Sequence, residues 1–305
     1  MSSVSEGRFT SSFVPSITRA ARRTTLLTGD GVRIEAVYTP CTPGSAAGVD
    51  GGSAGTAIVV AHGFTGSVDR PAVRRAAEVF SQRAAVITFS FRGHGRSGGR
   101  STVGDREVLD LAAAVAWARS LGHRRIVTVG FSMGGSVVLR HAALYTAQDV
   151  PDSVGTDSTA GAGRVGRRAG AHAGRTEAHT DAVVSVSAPA RWYYRGTAPM
   201  RRLHWVVTRP AGRIVGRYGF RTRIDRKDWD PVPLSPVEAV PLIAPAPLLI
   251  VHGDQDPYFP LDHPRMLAEA ARGTAELWLE RGMGHAENAA DESLLTRIAD
   301  WTASA

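Results

Sequence analysis

The chain has almost no cysteine, because Cys41 is the only one among its 305 residues. A single thiol cannot form an internal disulfide, so a disulfide-stapled fold is excluded and a reducing compartment is favoured. Cys41 lies in a proline-flanked stretch far from any candidate base, and we do not expect it to act as a nucleophile. The sequence also lacks clustered cysteine and histidine at metal-ligand spacing, so we predict no metal site.

Long hydrophobic runs are lacking as well. No segment reaches the roughly 20 apolar residues that span a bilayer, although the apolar fraction of 43% is ordinary for a globular protein. Residues 1–9 are polar and lack the apolar core of a secretory signal peptide. We therefore predict no integral membrane segment and a cytoplasmic location. The length favours one large domain, or a domain that carries an insertion, over two equal domains.

Lysine is scarce, because Lys227 is the only lysine among 36 basic residues. Ten arginines and Lys227 lie between positions 191 and 227 against one acid, Asp225, which gives this segment a net charge of +10. The whole chain carries +8, so this one segment accounts for the excess. The segment either contacts an anionic partner or is a solvated surface. No nucleic-acid-binding fold accompanies the charge, and nucleic acid is not an expected partner.

Strand-like and helix-like segments alternate along most of the chain. Residues 24–39 predict a β-hairpin around Gly29-Asp30-Gly31. Later apolar runs predict buried parallel strands at 57–61, 85–89, 126–129, 182–186, 247–251 and 275–279, with helices at 71–82, 107–120 and 136–145. This alternation predicts an α/β fold with a mostly parallel, doubly wound sheet of about eight strands.

Two segments interrupt this alternation. Residues 151–180 are rich in Gly, Ala, Ser, Thr and Arg, which predicts a disordered insertion. Residues 189–245 are too long for a plain connection and carry aromatic residues among the arginines, which predicts a lid before the last two strands. We assign 1–23 to an N-terminal extension and 24–305 to one domain.

The most informative motif is Gly130-Phe-Ser132-Met-Gly134, which lies where a strand-like run gives way to a helix-like one. A serine on so tight a turn is typical of a nucleophile elbow, in which close backbone approach requires glycines on both sides. The alternative is that Ser132 simply caps the helix. A serine hydroxyl becomes a nucleophile only beside a base that a carboxylate orients.

Candidates for that base and carboxylate follow the last two predicted strands. Asp256 comes shortly after 247–251 and His285 after 275–279, at strand ends where a crevice forms. Asp254 competes with Asp256 but fits a turn residue better. His285 could instead be a surface loop histidine, and we expect its neighbour Glu287 to be solvated.

Two further motifs complete the pattern. The segment His62-Gly63-Phe64-Thr65-Gly66 follows the third predicted strand, and residues 89–97 follow the fourth. With the order Ser132, Asp256, His285, the chain from about 24 to 303, apart from 151–180, resembles the α/β-hydrolase superfamily, in its serine esterase and lipase branch. The resemblance implies a catalytic triad of these three residues. It also implies an oxyanion hole made by the backbone N–H groups of Phe64 and Met133.

The resemblance implies a hydrolase that cleaves a small-molecule carboxylic ester through an acyl-enzyme on Ser132, without a metal or organic cofactor. Serine at the elbow argues against the family's dehalogenases and epoxide hydrolases, which use aspartate there. A thioesterase, an amidase, an acyl transferase or a perhydrolase would use the same triad. A non-catalytic binding protein with this fold is the alternative from another class. Oligomeric state stays open.

The basic segment bears on the substrate. Its charge suits an anionic ester, a coenzyme A thioester or a phospholipid surface, unless the arginines only coat a solvated lid. The candidate contact residues are Arg201, Arg202, Arg221 and Arg223, whose neutralisation should raise KM for anionic substrates only.

Overall fold

The protein is described by a computed structural model that covers residues 21–42, 55–146 and 177–305. Within these residues, one sheet contains eight strands in the order β1-β2-β4-β3-β5-β6-β7-β8. The strands are Arg22–Leu27 (β1), Arg33–Thr39 (β2), Thr56–Ala61 (β3), Ala85–Phe89 (β4), Arg125–Phe131 (β5), Ala182–Val186 (β6), Leu248–Gly253 (β7) and Ala275–Glu280 (β8). Only the pairings of β2 with β1 and β4 are antiparallel. The predicted α/β fold is confirmed.

Helices cover both faces of this sheet. The helices of the described residues are Pro71–Phe80 (α1), Glu107–Ser120 (α2), Met133–Leu144 (α3), Ala198–Thr208 (α4), Pro210–Tyr218 (α5), Pro236–Ala239 (α6), Asp262–Ala270 (α7), Ala286–Ala289 (α8) and Glu292–Ser304 (α9). In β3, Ala57 and Val59 face the core under α2 and α3, whereas Ile58 and Val60 face the core under α1 and α9. Both faces are buried, which is why the strand is apolar throughout.

The boundaries differ from the sequence prediction in a few places. The sheet begins at Arg22, two residues before the predicted hairpin, and α3 begins at Met133 instead of 136. Residues 1–20 and 147–176 lie outside the described residues, so most of the predicted insertion at 151–180 does too. Its last four residues lead into β6, where buried Thr180 donates to the carbonyl of Ala182 at 2.9 Å.

Residues 189–245, which we call the cap segment, connect β6 to β7 and contain α4, α5 and α6. Its helices α4 and α5 pack against each other. The lid function of this segment stays a prediction. None of the helices in the described parts of the chain combines the length and hydrophobicity that a bilayer span requires.

Candidate active site

Ser132 occupies a sharp turn between β5, which ends at Phe131, and α3, which begins at Met133. Its φ of 52° and ψ of −113° lie in a region that residues other than glycine rarely adopt. Two hydrogen bonds hold this conformation: Ser132 N–H donates to the Val186 carbonyl at 2.8 Å, and the Ser132 carbonyl accepts from Ser136 N–H at 3.1 Å. The turn therefore presents the serine hydroxyl beyond the end of the strand.

The glycines on both sides of Ser132 are required by close backbone contacts. A Cβ at Gly134 would lie 2.6 Å from the carbonyl carbon of Ala61, in β3, and would overlap its oxygen. A Cβ at Gly130 would lie 2.5 Å from the carbonyl carbon of Gly134. Side chains cannot be accommodated at these distances. Close backbone contact is therefore the reason for both glycines of the motif, as we expected from the sequence.

The three residues predicted to form a triad lie together. Nε2 of His285 is 2.8 Å from the Ser132 hydroxyl oxygen, and Nδ1 of His285 is 2.7 Å from Oδ2 of Asp256. Asp256 follows β7 and His285 follows β8, so adjacent parallel strands deliver them to the same edge as Ser132. When His285 donates its Nδ1 proton to Asp256, Nε2 is free to accept the serine proton.

Asp256 is held as a carboxylate. Its side chain is fully buried, and Oδ1 accepts from the backbone N–H groups of Tyr258 at 2.8 Å and Phe259 at 3.1 Å. Burial raises the pKa of Asp256, but the hydrogen bond and charge of His285 and the two N–H donors outweigh burial, so the pKa lies below its usual value. An ionised Asp256 can stabilise the imidazolium that forms when His285 takes a proton.

The competing acid, Asp254, has a different environment. It is exposed, and its Oδ1 accepts from the Gly282 N–H at 2.6 Å across the turn after β8. Of the two acids, Asp256 is the one that contacts His285. Buried His252 lies beneath this loop, where its Nε2 is 2.8 Å from the Phe259 carbonyl. Burial lowers the pKa of His252, so a neutral ring donates to that carbonyl.

The backbone N–H groups of Phe64 and Met133 have no acceptor among the described residues. Phe64 lies in the loop after β3, Met133 is the first residue of α3, and both line the same cavity as Ser132. The N-terminal N–H groups of a helix carry partial positive charge. The two donors could therefore bind an oxyanion that forms next to Ser132.

His62 braces the loop that carries Phe64. It is completely buried, and burial lowers its pKa to about 3, so the ring is neutral. Its Nδ1 donates to the Gly63 carbonyl at 2.6 Å, and its Nε2 accepts from Phe91 N–H at 3.0 Å. The His94 ring also contacts the Phe64 carbonyl through Nε2.

The expectation that Glu287 is solvated is wrong. Only 6% of Glu287 is exposed, and its Oε1 accepts from the Gly63 N–H at 2.9 Å. Burial raises the pKa of this carboxyl above its usual value. Because Gly63 precedes Phe64, Glu287 positions the loop that presents the Phe64 N–H. The sequence gives no signal of this contact, because its two partners are 224 positions apart.

Substitutions at Glu287 test its positioning role. We expect Glu287→Ala to lower kcat by about tenfold or more, because the Gly63 N–H loses its acceptor. The upper bound is the loss of about 10²–10³-fold that follows removal of one oxyanion donor. Glu287→Gln keeps an acceptor oxygen and should retain kcat within about threefold. Steady-state kinetics with one neutral ester measures both. Equal losses of kcat in the two variants would contradict this role.

The Glu287→Gln variant should also change how stability depends on pH. The raised folded-state pKa of Glu287 means that its contribution to stability is present at low pH and is lost as pH rises through that pKa. Glutamine does not titrate, so Glu287→Gln should gain stability relative to the native protein as the pH rises. Urea unfolding of both proteins from acid to neutral pH checks the direction.

A cavity of about 580 Å³ lies in front of Ser132, between the sheet edge and the cap segment. Its walls are mostly apolar and aromatic, and include Phe64, Val103, Trp192, Tyr194, Met200, Leu203, Val207, Ile224, Trp229 and Phe259. Its basic residues are Arg191, Arg195, Arg213, Arg226 and Lys227.

The arginines named from the sequence, 201, 202, 221 and 223, do not line this cavity. Arg223 instead reaches the Ser97 carbonyl.

An eight-stranded, mostly parallel sheet with a serine on a strained turn at the end of its fifth strand defines the α/β hydrolase class of folds. The sequence profile of the alpha/beta hydrolase family matches residues 58–294. The chain therefore belongs to the alpha/beta hydrolase family. A comparison with curated protein sequences gives no significant match.

Solved structures agree with this fold. Esterase Pf2001 from Pyrococcus furiosus superposes with a TM-score of 0.62 at 19% identity, over 92% of this chain and 91% of that one. The α/β hydrolase GrgF from Penicillium sp. sh18 gives 0.61 at 16% identity, over 93% and 98%. XC6422 from Xanthomonas campestris, described as an α/β serine hydrolase without a lid, gives 0.54 at 17%, over 93% and 92%. At these identities the likeness shows the fold alone.

Proposed function

We propose that this hydrolase cleaves carboxylic esters through an acyl-enzyme on Ser132. The observation that carries the proposal is the unbroken hydrogen-bond chain from the Ser132 hydroxyl through His285 to buried Asp256, at 2.8 and 2.7 Å. The Ser132 end of this hydrogen-bond chain faces an apolar cavity large enough for a small-molecule ester. The esterase activity named for the Pyrococcus furiosus protein is consistent with this chemistry.

In the acylation step, the Ser132 oxygen attacks the ester carbonyl carbon while His285 Nε2 takes the serine proton. The negative charge that forms on the carbonyl oxygen is stabilised by the N–H groups of Phe64 and Met133. The tetrahedral intermediate then collapses, the carbon–oxygen bond to the alcohol breaks, and His285 returns the proton to the departing alcohol. Ser132 is left esterified with the acyl group.

In the deacylation step, a water molecule replaces the alcohol. His285 takes one proton from the water as its oxygen attacks the acyl carbon. Collapse of the second intermediate releases the carboxylic acid and returns the proton to Ser132. Asp256 stabilises the positively charged His285 in both steps. This cycle uses the chain's own residues and water.

An acyl thioesterase is the second candidate, because Arg195, Arg226 and Lys227 at the cavity outnumber Asp225 and Asp228 there and would suit a phosphate-bearing thioester. Comparing short and long p-nitrophenyl esters with acyl-coenzyme A thioesters distinguishes the two. A higher kcat/KM for the thioesters would favour this second candidate.

The single cysteine, Cys41, fits a reducing compartment such as the cytoplasm, where we propose that the protein acts.

Covalent labelling tests whether the protein is an enzyme at all. A fluorophosphonate probe should label the native protein, because only an activated serine attacks phosphorus at a useful rate. The Ser132→Ala variant should not be labelled, whereas Ser136→Ala, four residues away in α3, should be. In-gel fluorescence measures both. A folded native protein that takes no label would favour the non-catalytic binding alternative.

A further inference from the structure

Helix α5 exposes apolar side chains. Gly212 and Gly216 form its buried face, and a Cβ at Gly212 would lie 2.6 Å from Cα of Val206, in α4. Because the glycine side packs inward, the opposite side of the helix faces solvent. Ile214 is 61% exposed there and Tyr218 is 74% exposed. The large apolar residues of this helix therefore contribute little to the core.

Neighbouring positions enlarge this apolar surface. Val215 on α5, Trp205 on α4 and Phe220 just after α5 are all more than one-third exposed. We call the exposed side chains of Trp205, Ile214, Val215, Tyr218 and Phe220 the outer apolar face. Five large exposed apolar side chains within 16 residues are unusual for a surface that meets only water.

Arginines alternate along the chain with the residues of the outer apolar face. Arg209, Arg217 and Arg221 are exposed, and in the part of the chain that the structure describes none of them pairs with a carboxylate. No aspartate or glutamate occurs between positions 189 and 224. Arg217 lies over the Tyr218 ring, with its guanidinium carbon 5.5 Å from the ring centroid. The face therefore combines apolar side chains with three arginines that form no ion pair among the described residues.

We propose that the outer apolar face binds the surface of an anionic lipid bilayer. Apolar side chains on a helix with flanking arginines can enter the boundary between head groups and acyl chains while the guanidinium groups bind lipid phosphates. A second copy of the chain is a poorer partner, because two such faces would bring like charges together. This binding does not depend on the proposed esterase activity.

The outer apolar face lies on the same two helices that form part of the cavity wall. Helix α4 contributes Met200, Leu203 and Val207 to the cavity wall, and α5 contributes Arg213. A membrane docked on the outer side of these two helices would therefore lie against the wall of the cavity. If the proposed function holds, apolar esters dissolved in the bilayer would be available close to Ser132.

Vesicle sedimentation tests the proposal with the full chain carrying Ser132→Ala, so that catalysis plays no part. We expect binding to vesicles of phosphatidylcholine mixed with phosphatidylglycerol, much weaker binding to phosphatidylcholine alone, and loss of binding as salt is raised. Ile214→Ser with Tyr218→Ser should weaken binding by about tenfold or more. Arg217→Gln with Arg221→Gln should do the same, at about 1 kcal/mol per arginine.

Controls come from exposed leucines elsewhere on the protein. Leu27 in β1 is 67% exposed and Leu279 in β8 is 42% exposed, and neither lies on the cap segment. Leu27→Ser with Leu279→Ser should leave vesicle binding unchanged. An equal loss in this control would show that general hydrophobicity drives binding and would overturn the proposal.

Other outcomes would also overturn it. Equal binding of the Ser132→Ala protein to both kinds of vesicle, or no binding to either, contradicts an anionic lipid surface as the partner. A stable dimer in light scattering that Ile214→Ser with Tyr218→Ser converts to monomers would show that a second copy covers the face. Fluorophosphonate labelling is measured on the native protein, so vesicle binding by Ser132→Ala together with no label on the native protein rejects the proposed function and leaves membrane docking intact.

Discussion

Replacing Asp256 with asparagine is expected to lower kcat by about 10⁴-fold, the loss known for the equivalent change in a serine protease triad. The asparagine amide would present an N–H toward Nδ1 of His285, which favours the tautomer whose proton is on Nε2. That tautomer cannot take the Ser132 proton. Asp256 is buried and does not line the cavity, so KM should change little. Steady-state kinetics on a p-nitrophenyl ester measures both constants.

Asp254→Asn is the matched control for this experiment. Asp254 is two residues away and exposed, and its carboxylate bonds to the Gly282 N–H, which an asparagine carbonyl oxygen can also accept. We expect kcat within about threefold of the native value, because asparagine keeps the bond to Gly282, and because Asp256, not Asp254, is the acid that contacts His285. A large loss in Asp254→Asn with a small one in Asp256→Asn would reverse the assignment of the acid.

The second large effect concerns stability. Gly134→Ala should lower the free energy of unfolding by on the order of 3 kcal/mol or more, because the new Cβ would overlap the Ala61 carbonyl in β3. Neither backbone can move freely, since β3 lies between β4 and β5 in the middle of the sheet. Urea unfolding monitored by tryptophan fluorescence gives the change.

Gly29→Ala provides the comparison for Gly134→Ala. Gly29 lies in the turn between β1 and β2, where a new Cβ would meet no atom within 4 Å. We expect a change of at most about 0.5 kcal/mol, as for most surface substitutions. Similar unfolding midpoints for Gly134→Ala and the native protein would show that the elbow tolerates a side chain and that our explanation of its glycines is wrong.

Much of the fold and the candidate site follows from local patterns. Buried parallel strands are apolar on both faces, which made runs such as 57–61 and 126–129 recognisable. Parallel strands also end at a common edge, so Asp256 and His285 could be expected near Ser132 before any distance was known. Boundaries were less predictable, because the start of α3 at Met133 depends on the Ser132 turn.

Contacts between distant parts of the chain could not be predicted in this way. Glu287 looked like an exposed residue after the base, yet the folding of its loop against Gly63 buries it. The arginines chosen from the sequence were 201, 202, 221 and 223, and the structure places different ones at the cavity. Side-chain direction in a long connection depends on packing, which composition does not encode.

The sequence by itself determined the class of fold and the three residues of the proposed triad. Those features rest on apolar strand runs, on glycines beside a turn and on the order of residues along the chain. All three can be read from the sequence without knowing which residues meet in space. The tertiary structure decided that Glu287 bonds to the loop that carries Phe64 and that the apolar side of α5 faces outward. Both depend on which surfaces meet after folding, because burial is set by the neighbours of a residue in space.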